Sequence, residues 1–295
     1  MKVMVIGKDG QLARSLLEKQ GSRSIAIEGT ARPDLDLCDP ASIEAAIARI
    51  APAIVVNAAA YTAVDKAESE PDLAHAINAT GAGAVAKACA RHAIPIIQIS
   101  TDYVYAGDKT SAYTEDDPVA PAGVYGRTKL EGERLVAAAC RQHIILRTAW
   151  VYSPFGNNFV KTMLRLAASR SELGVVDDQT GCPTYAPHLA DAILAVCDRI
   201  LAPGNPSPSW GIYHAAGTGE ATWCGFARAV FKLSSERGGP SATVRAITTA
   251  EYPTPAKRPA NSRLDGTKLA KNFGVKLPDW RAGAAECVAR LVEAG

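Results

Sequence analysis

The sequence predicts an α/β protein, a Rossmann-like doubly wound parallel sheet followed by a smaller, loop-rich C-terminal substrate domain. Three observations carry this. Short apolar runs alternate with helical patterns along residues 1–150. Those runs hold few charges, so both faces of the sheet must be covered, which goes with parallel strands and right-handed crossovers. The first run ends at once in a glycine-punctuated turn, where α/β sheets bind phosphates.

The elements follow in order. Residues 3-VMVIG-7 read as a buried strand, and 11-QLARSLLEKQ-20 as a helix with Leu12, Leu16 and Leu17 on one stripe, ended by Gly21. A second strand is expected at 24-SIAI-27. The stretch 34-DLDLCDP-40 leads, past a short third strand, into a helix at 41–50. Strand 53-AIVVNAA-59 precedes a long Ala-rich helix within 70–92. Strand 94-IPIIQIS-100, the helix of 123-GVYGRTKLEGERLVAAA-139 and strand 143-HIILRTA-149 complete the series. Beyond it the alternation becomes irregular. Helices are expected at 158–170, 187–202, 221–234 and 279–293, and a strand at 211–217. Residues 203–211 read as a Pro/Gly/Ser loop, and the Pro-rich 251–265 is neither regular helix nor central strand. Residues 1–150 are thus expected to form the NAD(P)-binding domain and 151–295 mainly the substrate domain, with segments around 171–217 returning to the first sheet.

Composition narrows the function classes. At 47% hydrophobic and 21% charged residues the chain is globular rather than disordered. A formal net charge of +2, with no basic stripe or tail, argues against nucleic acid as the main partner. Seven cysteines without a CxxC give neither a zinc knuckle nor a disulfide framework and suit a reducing compartment. The first strand starts without a leader, and no charge-free apolar stretch reaches the roughly 20 residues of a membrane span. A cytoplasmic protein with no membrane partner is expected.

The turn 7-GKDGQLA-13 is a GxxGxxA pattern. Gly7 allows the tight turn, Gly10 lets backbone N–H groups approach a pyrophosphate, and Ala13 is small enough for close helix–strand packing. The middle glycine of GxGxxG is absent. At the second strand Glu28 can hydrogen-bond a ribose and Arg32 can pair with a phosphate, so NADH and NADPH both stay open. Asp39, after the short third strand, is placed near the adenine.

The strand ending at Ser100 delivers 100-STDYVYAG-107 to the ligand edge of the sheet. On the next helix Tyr125 and Lys129 share a face one turn apart. A phenol with a pKa of about 10 needs a nearby ammonium to become a better proton donor, and Lys129 supplies one. Lys129 can also hold the ribose of a nicotinamide cofactor, and Thr101 can polarise a substrate carbonyl. Asp102 is placed to assist proton transfer or to orient a sugar hydroxyl. The loop 106–126, with three consecutive acidic residues at Glu115–Asp117, is either solvated or covers the substrate.

The chain resembles the extended short-chain dehydrogenase/reductases, and among them the reductases of dTDP-linked 4-keto sugars. The resemblance lies in 7-GKDGQLA-13, 57-NAAAYTAVDKAESEP-71, 77-INATGAGAVAKAC-89, 100-STDYVYAG-107, 125-YGRTK-129, 147-RTAWVYSPFGNNFVKTM-163, 177-DDQTGCPTYAPHLAD-191 and 258-RPANSRLD-265. It implies reduction of a dTDP-linked 4-keto-6-deoxy-L-hexose to dTDP-L-rhamnose with NADPH or NADH. It assigns catalysis to Thr101, Tyr125 and Lys129. The cofactor falls to Gly7, Gly10, Gln11, Leu12, Asn57, Ala58 and Ala59 together with Tyr125 and Lys129. The substrate falls to Val64, Asp65, Thr101, Asp102, Tyr103, Trp150, Asn158 and Arg258. It also implies a homodimer. Some family members hold Mg²⁺ at a dimer contact through acidic residues; here Arg14-Ser15 and His188 stand at those places, so no metal site is expected. The competing readings are an epimerase or dehydratase on the same scaffold and a non-catalytic NADP-binding regulatory subunit. Tyr103, standing where a dehydratase places Glu, argues against dehydration.

Overall fold

Residues 1–21, 25–202 and 209–293 are described by the computed structural model of the chain. The first half runs β1 (Lys2–Ile6), α1 (Gln11–Glu18), β2 (Ala26–Thr30), α2 (Pro40–Ile50), β3 (Ile54–Asn57), α3 (Val64–Ala67), α4 (Pro71–His75), α5 (Ala82–Arg91), β4 (Ile96–Thr101), α6 (Val124–Ala139) and β5 (His143–Thr148). The second half runs β6 (Val151–Tyr152), α7 (Phe159–Ala167), β7 (Glu172–Val176), β8 (Thr180–Gly181), β9 (Thr184–Tyr185), α8 (Ala186–Leu201), β10 (Gly211–His214), β11 (Ala221–Thr222), α9 (Trp223–Ser235), β12 (Thr243–Ile247), β13 (Asn261–Ser262), α10 (Thr267–Phe273) and α11 (Trp280–Glu293).

Six parallel strands form the main sheet in the order β10-β5-β4-β3-β1-β2, the doubly wound arrangement expected. Successive strand residues point to opposite faces. Val3, Val5, Ile54, Val56 and Ile97 face α1 and α8, while Met4, Ile6, Val55, Ile96 and Ile145 face α2, α5 and α6. The winding reverses between β1 and β3, and the crevice at their carboxyl ends is where such sheets take ligands. Strand β10 lies on the edge of this sheet beside β5, whereas β7 pairs with β12 in a separate two-stranded sheet. A third core gathers α7, α9 and α11 around Tyr152, Phe226 and Trp280.

Several elements differ from expectation. Strand β2 continues to Thr30 because its register follows β1 to Ile6; the expected start at Ser24 lies outside the described residues, as do positions 203–208 of the expected loop. No third strand precedes Asp39. Leu37 and Cys38 form a turn, and Asp36 Oδ1 accepts from the Cys38 N–H at 2.9 Å. The long helix is broken by a π-helical turn at Ala76–Gly81. There Asn78 reaches both ways, bonding the backbone of Tyr61 and the Thr128 hydroxyl on α6. Helix α6 can sit this close because Gly132 has no Cβ; one would lie 2.1 Å from the Asn78 carbonyl oxygen. Strand β12 and helix α10 were not foreseen. The loop 106–122 is pinned. The Tyr113 hydroxyl accepts from the N–H groups of Gly107, Asp108 and Lys109, and Asn261 holds the carbonyls of Lys109 and Ser111.

Among the described residues no helix is long and apolar enough to cross a membrane. Cys38, Cys89, Cys140, Cys182, Cys224 and Cys287 form no disulfide.

Candidate active site

The glycine turn sits at the reversal of the sheet. Gly7 has φ +92°, and a Cβ there would stand 3.0 Å from the backbone of Ala59, so only glycine fits both the conformation and the space. The N–H groups of Gly7 and Lys8 donate to the Thr30 carbonyl at 2.8 and 3.2 Å. Gly10 caps α1 without a side chain, which leaves the first turn open to an anion. Ala13 is fully buried against the sheet.

A cavity of ≈ 710 Å³ opens here. Its lining includes Gly7, Gly10, Gln11, Leu12, Ala58 and Ala59 of the glycine turn and the β3 end, and Val64, Thr101, Asp102, Tyr103, Tyr125, Lys129 and Trp150. A second cavity of ≈ 570 Å³ adjoins it through Gly7, Asp9, Ala59 and Ala60, and extends to Arg32 and Asp36–Cys38. Together they make a trough across the ends of β1, β3 and β4.

Thr101 ends β4, and Tyr125 and Lys129 lie in the first turns of α6. The Lys129 ammonium donates to the Ile99 carbonyl at 2.7 Å. The Thr101 hydroxyl donates to Asp102 Oδ1 at 3.0 Å and accepts from the Tyr103 N–H at 3.2 Å. The Tyr103 ring meets Tyr125 edge-on, centroids 5.5 Å apart. Burial pushes the Tyr125 phenol up to about 12; a hydrogen bond with Thr101 opposes this and the Asp102 carboxylate adds to it. The expected lowering of the phenol by the ammonium is therefore absent in the free protein, because desolvation dominates and Lys129 is turned onto Ile99. Burial also brings Lys129 down to about 8, with Glu133 acting the other way. Asp102 is raised to about 6 by burial, against hydrogen bonds from Ser262 and Thr101. Its Oδ2 is buried without a partner, as is the Thr148 hydroxyl at the end of β5, and both residues line the cavity.

Other expected residues stand apart from the cavity wall. Asn57 is buried behind it, donating to Gln98 Oε1 at 2.8 Å and accepting from the Ala59 N–H at 3.3 Å, so it shapes the turn. Asp39 caps α2 through the Ala41 N–H at 3.0 Å and lines neither cavity; Asp36–Cys38 occupy the place foreseen for it. Glu28 pairs with Lys2 and Arg49 at 3.2 and 3.4 Å. Asp65 and Arg258 hold each other in a two-pronged pair at 2.9 and 2.8 Å. Asn158 caps α7 and donates to Gln11 Oε1 at 3.0 Å, fastening the glycine turn to the C-terminal part.

Trp150 has φ +49°, a strained conformation for a non-glycine residue. Its indole stacks on Trp223 with centroids 3.5 Å apart and planes within 8°, over Gly181, where a Cβ would come within 2.4 Å of the ring. Trp223 and Thr148 were not among the expected site residues. Thr148 ends a sheet strand, a position that signals ligand contact, whereas nothing local marks Trp223.

Arg14 lies 4.2 Å over the Phe155 ring and His188 contacts Glu286 at 3.1 Å. Among the described residues no group of three or more His, Cys, Asp or Glu is arranged to hold a metal ion.

Residues 1–293 match the family model described as the RmlD substrate binding domain. A dTDP-4-dehydrorhamnose reductase of Sinorhizobium fredii is 47% identical over 295 residues, spanning 100% of this chain and 99% of the relative. The crystal structure of a dTDP-4-dehydrorhamnose reductase from Clostridium acetobutylicum superimposes with a TM-score of 0.91 at 37% identity, covering 99% of each chain. A Bacillus anthracis dTDP-4-dehydrorhamnose reductase in complex with NADP gives 0.90 at 35% identity, covering 98% of this chain and 99% of that one.

Proposed function

The chain belongs to the RmlD substrate binding domain family, and on that premise we propose how its residues divide the work. It is an NAD(P)H-dependent oxidoreductase that reduces the 4-keto group of dTDP-4-dehydro-6-deoxy-L-mannose to give dTDP-L-rhamnose, the activity its relatives are named for. The observation that supports the division of roles is the convergence of Thr101, Tyr125 and Lys129 on one wall of the trough.

The trough suits a dinucleotide, since Gly7 leaves no room for a Cβ and α1 has no capping side chain. Bound there, NAD(P)H supplies the hydride. Tyr125, its phenol near 12, holds its proton at neutral pH and gives it to the alkoxide oxygen forming on the sugar. The Thr101 hydroxyl turns from Asp102 to that oxygen and stabilises its growing charge. Lys129 holds the cofactor ribose and supports the phenolate left on Tyr125. Asp102 orients a sugar hydroxyl with its unpartnered oxygen. The Trp150–Trp223 stack forms a flat wall for the deoxy sugar, and Val64 and Tyr103 border it. Arg258 offers its fork to the diphosphate in exchange for Asp65.

NADPH is the favoured cofactor in this reading. Glu28 is tied to Lys2 and Arg49, no acid ends β2, and Arg32 lines the adenosine end of the trough.

The test is oxidation of NADPH and of NADH by the purified protein with the 4-keto substrate, matched against dTDP-L-rhamnose formed. Tyr125→Phe should bind cofactor normally and lose at least about 10²-fold in turnover. Near-full activity in that variant would remove Tyr125 as the proton donor.

A further inference from the structure

We propose that Glu133 is a positioning residue of the reaction, clamping α6 to β4 and β5 and keeping the Lys129 ammonium charged. This rests on the reading of Lys129 given above. Glu133 is 3% exposed and lies one turn beyond Lys129 on the same face of α6. Ser100 Oγ donates to its Oε1 at 2.5 Å, Arg147 Nε donates to the same oxygen at 3.0 Å, and Arg147 Nη2 donates to Oε2 at 2.6 Å. Ser100 precedes Thr101, and Arg147 precedes Thr148 with its unpartnered hydroxyl. One carboxylate therefore joins the three elements that carry Thr101, Thr148 and Lys129. Arg147 is braced from behind by the Tyr105 hydroxyl at 2.7 Å, which in turn meets His214 Nε2 at 2.7 Å.

A buried ion pair of this kind adds little stability over apolar side chains of the same volume. What it adds is direction, since each hydrogen bond fixes one strand relative to the helix. It also places an anion near a desolvated amine. The titratable groups on the elements packed against α6 include Asp102 and Tyr103 after β4, Arg147 and His143 on β5, Asp65 and Lys66 on α3, Asp72 and His75 on α4, and Lys87 and Arg91 on α5. Tyr125 precedes Lys129 on α6 itself, and Glu131 and Arg134 point to solvent. Of all these charges, that of Glu133 is the one that acts on Lys129, opposing the effect of burial. Without it Lys129 would be neutral in a larger share of molecules at working pH, and a neutral amine cannot support a phenolate.

The experiment is Glu133→Gln, read in two ways. The first is an NMR titration of the full protein with ¹³Cε-labelled lysine, the Lys129 signal being the one missing from Lys129→Met. The second is the pH profile of kcat/KM. The Lys129 titration and the alkaline limb of the profile should both move down by about one pH unit, as for loss of an adjacent opposite charge. A Lys129 titration that does not move overturns the proposal. A titration that moves while the alkaline limb stays in place overturns the reading of Lys129 in catalysis instead. If Glu133→Gln does not fold, Glu133→Asp keeps the charge but draws it back by one methylene; the Lys129 titration should then still move down, by less, and one that does not move overturns the proposal.

Discussion

Asp102→Asn should stabilise the protein while weakening its activity. Asp102 is 3% exposed, and burial raises its carboxyl from 3.8 to about 6. At about 1.4 kcal/mol per pH unit, keeping this group ionised at neutral pH costs about 3 kcal/mol of folding stability. The native state holds the proton that the unfolded chain releases between about pH 4 and pH 6, so this group makes stability fall as pH rises through that window. Below the window the contribution vanishes, and above it the full cost remains. Asparagine removes the charge but leaves an amide where Oδ2 has no partner, which returns about 1 kcal/mol. The net gain is about 2 kcal/mol, or roughly 3 °C in Tm for a chain of this size. Denaturant titration of both ligand-free proteins at several pH values measures it. The variant should be about 1 kcal/mol less stable than the parent in acid and about 2 kcal/mol more stable above pH 6. Equal stability at neutral pH, or a gap that widens in acid, would refute the reasoning. The same variant should lower kcat/KM, because the lost oxygen faces the cavity.

Two further outcomes can be stated. Arg32→Ala should raise KM for NADPH about tenfold or more, the worth of one charged hydrogen bond, and leave KM for NADH nearly unchanged; parallel steady-state kinetics decide, and equal changes would remove Arg32 as the 2′-phosphate partner. Gly132→Ala should destabilise the chain by about 3 kcal/mol or more, because the clash 2.1 Å away is with the Asn78 carbonyl rather than a rotatable side chain; a loss under about 1 kcal/mol in denaturant titration would contradict the close contact of α6 with the π-helical turn.

The main sheet was legible because its strands are charge-poor on both faces, a pattern local to each run. The glycine turn and the Thr101–Tyr125–Lys129 set were legible for a related reason, since each is a short motif placed at the end of a strand or the start of a helix. Features that depend on distant partners were not. Trp223 matters because it meets Trp150, and no spacing links the two. Asp39 looked like a ligand contact, yet an Asp followed by Pro40 is also a strong helix cap, and here the cap is what forms. The π-helical turn is set by Asn78 reaching Tyr61 and Thr128, which a helical pattern of alanines hides. Strand β12 has only Ile247 buried, so its pattern resembled loop. Expecting the phenol to be lowered weighed one charge and omitted desolvation.

The contacts that close the substrate side also set an order of assembly. Gln11 meets Asn158 across 147 positions of chain, and Asp65 meets Arg258 across 193. Contacts of such sequence separation form late, because a long loop must close before they return anything. The glycine turn, Thr101, Tyr125 and Lys129 all leave the ribosome before Trp223 and Arg258 exist. The α1 side of the main sheet is itself covered by α8 and by Leu269, Phe273, Val275 and Leu277, so the dinucleotide trough reaches its final form only when the C-terminal part has folded. A ligand that binds the folded form and not the unfolded chain shifts the balance by mass action, so bound cofactor should stabilise the C-terminal part along with the sheet.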